Sequence, residues 1–127
     1  MNKYELTDYL AVAFKYNNYK KAEELLMQGA DVNGCSNEVG DDYRVSYLPF
    51  IHVAIQQNYL DMLKLLLKYN VDISARDNFG KTVLTALDNY IALYDNYFGS
   101  KTYTKMRNLI IEHEANKWLN TKTIMTK

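Results

Sequence analysis

Apolar residues recur at helical spacing in paired short blocks. Leu10, Ala13 and Phe14 mark one stripe, and Ala22, Leu25 and Leu26 mark a second. The pair returns as Ile51, Ala54 and Ile55, followed by Leu63, Leu66 and Leu67. Spacings of three and four place each set on one face of an α-helix. Between the blocks sit Asn17-Asn18 and Asn58-Tyr59, where a residue tolerant of left-handed backbone ends one helix and turns the chain. Gly29 and Asn70 offer the same stop after the second blocks. The pattern predicts helix–turn–helix units, each too small to hide its own apolar faces, so that stacking of neighbours buries a continuous core.

Three segments align on this pattern: residues 8–33, residues 49–74, and a third that begins TVLTALDNY at Thr82 and resumes at Thr102, reaching residue 116. The second opens Pro49-Phe50-Ile51-His52-Val53-Ala54, and the third opens Thr82-Val83-Leu84-Thr85-Ala86-Leu87 after Asp77-Asn78-Phe79-Gly80. The first ends Leu25-Leu26-Met27-Gln28-Gly29-Ala30-Asp31-Val32-Asn33. Here the chain resembles the ankyrin-repeat family, whose unit runs about 33 residues and carries a T-P-L-H-x-A signature. His52 and Ala54 lie on that signature, as does Thr82, whereas Pro49 and Phe50 depart from it. Asp77 to Gly80 fits the family's D-x-x-G turn. The resemblance implies an all-α fold, an ankyrin-repeat solenoid of stacked helix–turn–helix units with extended inter-repeat loops or hairpins. It implies one domain over residues 1–120, with a frayed tail at 121–127.

The spacing is not uniform. Leu25 to Leu66 is 41 residues and Leu66 to Ile110 is 44, excesses of about eight and eleven over the family unit. The first excess falls in the loop at 34–48. The second falls inside the third repeat at about 91–101, where Leu84, Leu87, Ile91 and Tyr94 suggest a first helix that runs on before turning. Extra residues in a repeat array map to loops on one face, often the binding face.

Composition narrows the function. Fifteen basic residues balance fifteen acidic ones, which removes the electrostatic footprint of a nucleic-acid or anionic-membrane binder. No stretch approaches membrane-spanning length, and the first residues are too acidic for a signal peptide. The single Cys35 excludes an intramolecular disulfide and fits a reducing cytoplasm. Twelve tyrosines are unusual and are what an AT-rich genome would give.

Candidate chemistry is sparse. Asp41, Asp42 and His52 lie close in sequence and raise a metal-dependent hydrolase as an alternative. Yet no second cluster of acids or histidines is spaced to complete a site, and a calcium loop would need a different spacing. The family resemblance gives His52 a structural role instead, bonding backbone of the inter-repeat loop. Glu112-His113-Glu114 do not converge on a helix, and the alignment puts them at an exposed helix end. Nucleophile elbow, phosphate loop and dinucleotide fingerprint are all missing from the sequence. No cofactor is expected, and a non-enzymatic chain is.

What remains is a recognition surface. By the resemblance, contact residues lie on first helices and loop tips: Tyr16, Gln56, Gln57 and Tyr90 on the former, with Tyr43, Arg44, Tyr47, Arg76, Asn78, Phe79 and Lys81 on the latter. Tyrosine and arginine are enriched among binding hot spots. Gly29, Gly80, Thr82 and His52 are structural positions. Lys20, Lys21, Glu23 and Glu24 supply the polar outer face that a terminal repeat requires, and Trp118-Leu119 are expected to close the core at the other end. A chain that starts at its own methionine and barely exceeds three repeats is expected to be a free-standing module, monomeric when free, that occupies another protein. A cognate toxin or enzyme, neutralised as by an immunity protein, is the specific expectation. A host-interaction factor or homodimerising scaffold is the alternative.

Overall fold

Three asparagines in the left-handed region break the helical runs, Asn17 at φ +51°, Asn58 at +61° and Asn70 at +61°, with Gly29 at +111°. Such values suit asparagine and glycine and few other residues. The computed structural model, which describes residues 1–39, 45–99 and 101–125, places helices α1 (Lys3–Lys15) and α2 (Tyr19–Met27) about the first break. Helices α3 (Phe50–Gln56) and α4 (Leu60–Lys68) flank the second. Asn2 and Asn18 cap α1 and α2, their side chains accepting from the Glu5 and Lys21 amides. First helices touch in order, α1 with α3 and α3 with α5 (Val83–Tyr90). Second helices do the same, α2 with α4 and α4 with α7 (Thr102–Met125).

The fold is mostly helical but not wholly so. The extra residues of the first long connection form an antiparallel hairpin, β1 (Cys35–Val39) with β2 (Val45–Pro49), in register from Cys35↔Pro49 to Val39↔Val45. The all-α label omits it, whereas the expected extended inter-repeat loops or hairpins include it. Backbone laid against α1 and α3 needs hydrogen-bond partners, and strand pairing supplies them. Gly34 sets the hairpin's base. A Cβ there would fall 2.6 Å from Thr7 Cγ2 and 2.8 Å from Phe50 Cε2, so only glycine lets the strand leave so close to the core. Its carbonyl accepts from the Phe50 amide at 3.0 Å.

Phe50, off the family signature, has its own partner. Its ring stacks on Phe14 of the preceding unit, centroids 4.8 Å apart, and both are fully buried. Asn33 adds a polar tie between units, accepting from the Asp72 amide at 2.8 Å.

In the third unit α5 runs on, as the apolar pattern expects, through a π-helical turn (Ile91–Asp95) and the short α6 (Asn96–Phe98). Asp95 then turns back. Its buried Oδ2 accepts from both the amide and the hydroxyl of Thr104 at 2.7 Å, capping α7 from a neighbouring helix. The main chain of α7 continues helical to Met125.

The expected closure by Trp118 is not what the structure has. Trp118 is 61% exposed, because the register of α7 against α4 places Met106 and Ile110 in the core and carries later residues past the end of α4. The end is closed by an ion pair instead, Arg107 Nε to Asp88 Oδ1 at 2.7 Å. By alignment Asp88 stands where the earlier units bury Phe14 and Ile55, and Arg107 where they bury Ala22 and Leu63.

Candidate functional site: a groove between hairpin, first helices and turn

Asp77 builds one wall. Its Oδ1 accepts from the Phe79 and Lys81 amides at 2.9 and 2.8 Å, and its own amide donates to the Lys81 carbonyl at 2.9 Å. Gly80, at φ +77°, closes the turn, with its amide donating to the Asp77 carbonyl. This small rigid finger holds Phe79 out from the surface, 87% exposed. Arg76 braces it by donating from Nη1 to the Gly80 carbonyl at 2.7 Å. Thr82 follows as the cap of α5, Oγ1 accepting from the Thr85 amide at 3.4 Å.

The hairpin makes the facing wall. Ser36 and Leu48 are register partners and therefore share one face of the sheet, which looks into the groove. The floor comes from α3 and α5, with Val53 and Ala86 set between Gln56, Gln57 and Asn89. The resulting space is about 760 Å³. Tyr90 lines the groove and is backed from outside it by Tyr103 at 5.3 Å and Tyr94 at 6.3 Å, centroid to centroid. Burial, then the Asp77 charge, pushes the Tyr90 phenol above its ordinary value, so it enters neutral solution as a hydroxyl that can donate and accept.

His52 sits beneath the groove, buried in α3. Its Nε2 is 2.7 Å from the Ala75 carbonyl. A carbonyl only accepts, so the ring carries its proton on Nε2 and is spent on the loop that leads into the finger. Its Nδ1 keeps a lone pair, but the hydrolase alternative also needs Asp41 and Asp42, which lie outside the described residues, and among the described residues no group of three or more His, Cys, Asp or Glu side chains could hold a metal. Cys35 is exposed, but burial of its thiol and then the charge of Asp31 push it up, away from a reactive thiolate.

Of the sequence-nominated contacts, Gln56, Gln57, Asn78, Phe79, Lys81 and Tyr90 line this one groove. Tyr47 does not. It follows Ser46 and precedes Leu48 on β2, so alternation turns it to the opposite face, where it is exposed. Tyr16 lies apart too, at the end of α1 with the Lys15 ammonium 5.9 Å above its ring. Arg76 is on the finger's outer side of the lining, while Tyr43 and Arg44 lie outside the described residues. Gly29 ends α2 at a distance from the groove. Asn89, which the resemblance places beside Tyr90 on a first helix, lines it as well, whereas Ser36 and Leu48 join the lining without having been nominated. The alternation within 35–39 and 45–49 was the available signal for these two.

His113 also departs from the exposed helix end read for it. It is half-buried against Lys64, Leu67 and Lys68 of α4, and its Nε2 has no hydrogen-bond partner among the described residues.

The class of the protein follows from these elements: a mostly helical chain of paired helices whose loops project beside a shared groove. Residues 50–85, which span α3, α4, the Asp77 finger and the start of α5, match the family model for ankyrin repeats (many copies). The ankyrin resemblance is thus shown for the centre of the chain. No curated protein is similar enough to the chain to count as a match. Ankyrin repeats generally mediate protein–protein interaction and are typically non-enzymatic. No described helix is long and apolar enough to cross a membrane.

Proposed function

We propose that this chain is a non-enzymatic protein-binding module of the ankyrin solenoid type. It seats a segment of another protein in the groove between the 35–49 hairpin and the Asp77 finger. The observation that carries this reading is the convergence of Gln56, Gln57, Asn78, Phe79, Lys81 and Tyr90 on one concavity. Side-chain amides dominate its polar lining. They suit an uncharged stretch of polypeptide that offers backbone hydrogen bonds and one apolar side chain to Phe79 and Tyr90. Inhibition of a cognate toxin or enzyme is the narrower form of the proposal, with the long hairpin beside the groove as the reaching element.

The test is capture with paired variants. Proteins recovered by the wild-type chain and identified by cross-linking should be lost with Phe79→Ala and Gln57→Arg, each weakening binding about 30-fold. Both positions are exposed, so helical content should not change. Equal capture by both variants would remove the groove from the interaction.

A further inference from the structure

Comparing equivalent positions in the three units exposes an asymmetry between the two ends. The far end is closed by Asp88 and Arg107. At the near end, α2 is polar where it faces outward, with Lys21 and Glu24 3.7 Å apart, but α1 is not. Tyr9 aligns with Phe50 and Val83, both fully buried, yet is 51% exposed. Val12 aligns with Val53 and Ala86, both buried, yet is 52% exposed. Tyr16, 72% exposed, completes the stripe. Residues 5, 9, 12 and 16 follow the alternating four-and-three spacing of a helix-packing seam. A terminal unit needs a polar outer face, and on α1 Tyr9, Val12 and Tyr16 interrupt it beside exposed Glu5 and Lys15.

We infer that this stripe is a self-association surface, on which α1 of a second copy of the chain packs antiparallel about a two-fold axis. Three observations favour that occupant. Head-to-tail stacking of copies would set apolar side chains of α1 against the Asp88–Arg107 pair, at positions where the earlier units bury Phe14, Ile55, Ala22 and Leu63. The stripe is self-complementary in an isologous pairing. An axis passing α1 between residues 10 and 11 sets each Tyr9 against the smaller Val12 of the other copy. The same axis sets Glu5 at one end against Lys15 and Tyr16 at the other. Glu5 uses Oε1 on Asn2 within its own helix, and its carboxylate retains capacity to accept from a tyrosine hydroxyl. This match of acid to base at the two ends is the third. Three exposed side chains per copy hide several hundred Å² in all, below the roughly 1,200 Å² of stable interfaces, so the dimer is weak and reversible.

Sedimentation velocity across a wide range of protein concentration tests this. The wild-type chain should shift from monomer at low concentration to dimer at high concentration. Tyr9→Ser should abolish the dimer boundary, and Lys15→Glu, which sets acid against acid, should weaken it about tenfold or more. Both sites are exposed, so unchanged thermal unfolding of the dilute monomer separates lost pairing from lost fold. Phe79→Ala, which disables the groove, should leave the dimer intact. A wild-type chain that stays monomeric throughout would overturn the inference and assign the stripe to another protein's helix. So would a dimer that survives Tyr9→Ser or dissolves with Phe79→Ala.

Discussion

The imidazole at position 52 does two things at once: it fills a buried site in α3 and donates from Nε2 to the Ala75 carbonyl. Replacing it by phenylalanine keeps most of the volume and removes the donor. The Ala75 carbonyl is then left unpaired beside the core, at a cost of about 1–3 kcal/mol. Urea unfolding of His52→Phe should show a lowered midpoint with an unchanged slope, and an unchanged midpoint would mean that water replaces the bond freely. Single residues were legible in the sequence where one backbone conformation demands them. Asn17, Asn58, Asn70 and Gly29 stand at positive φ, where the helix-stop reading expects a turn. Gly34 was not legible, because its reason is the nearness of Thr7 and Phe50, contacts that only the fold brings about.

At the scale of elements, the continuation of α5 was written in the spacing of Leu84, Leu87, Ile91 and Tyr94, and the helix does run on through Ile91–Asp95 to Phe98. Its means of turning back was not written there. Asp95 and Thr104 are nine residues apart, and neither carries a local capping signature. The hairpin was expected only as one form the inter-repeat connections take, and its strands and register were not legible for a similar reason. Its strands are short, and the pairing that holds them is a property of both at once. Asp95→Ala should remove the one acceptor, Oδ2, of both Thr104 hydrogen bonds and cost about 1–2 kcal/mol, the value of a helix cap. Hydrogen exchange would locate the damage: amides in the first turn of α7 should exchange faster, while those near Met106 and Ile110, packed in the core, keep their protection. Uniform acceleration along α7 would show that Asp95 holds the whole helix rather than its end.

Across the whole molecule the units are coupled through neighbours, and the two surfaces fall in different units. The groove belongs to α3, α5, the hairpin and the finger, whereas the Tyr9 stripe belongs to α1 alone. The sequence nominated groove residues from three of these elements, α3, α5 and the finger, because equivalent positions in repeats share a role. It scattered Tyr16 and Tyr47 among them because one-dimensional alignment does not say which side of a strand or helix end a residue faces. Phe14 is the joint between the first unit and the second, stacked on Phe50. Truncating Phe14 to alanine removes a buried ring at a cost of about 3–5 kcal/mol. In an array with nearest-neighbour coupling the loss falls first on the terminal unit. Phe14→Ala should therefore lose exchange protection over α1 and α2 while α4 keeps it. With α1 open, the dimer boundary should vanish, yet capture through the groove should persist because His52, Asp77 and Tyr90 stay in place. If groove binding fell together with α1 protection, the two surfaces would be coupled across the stack rather than independent.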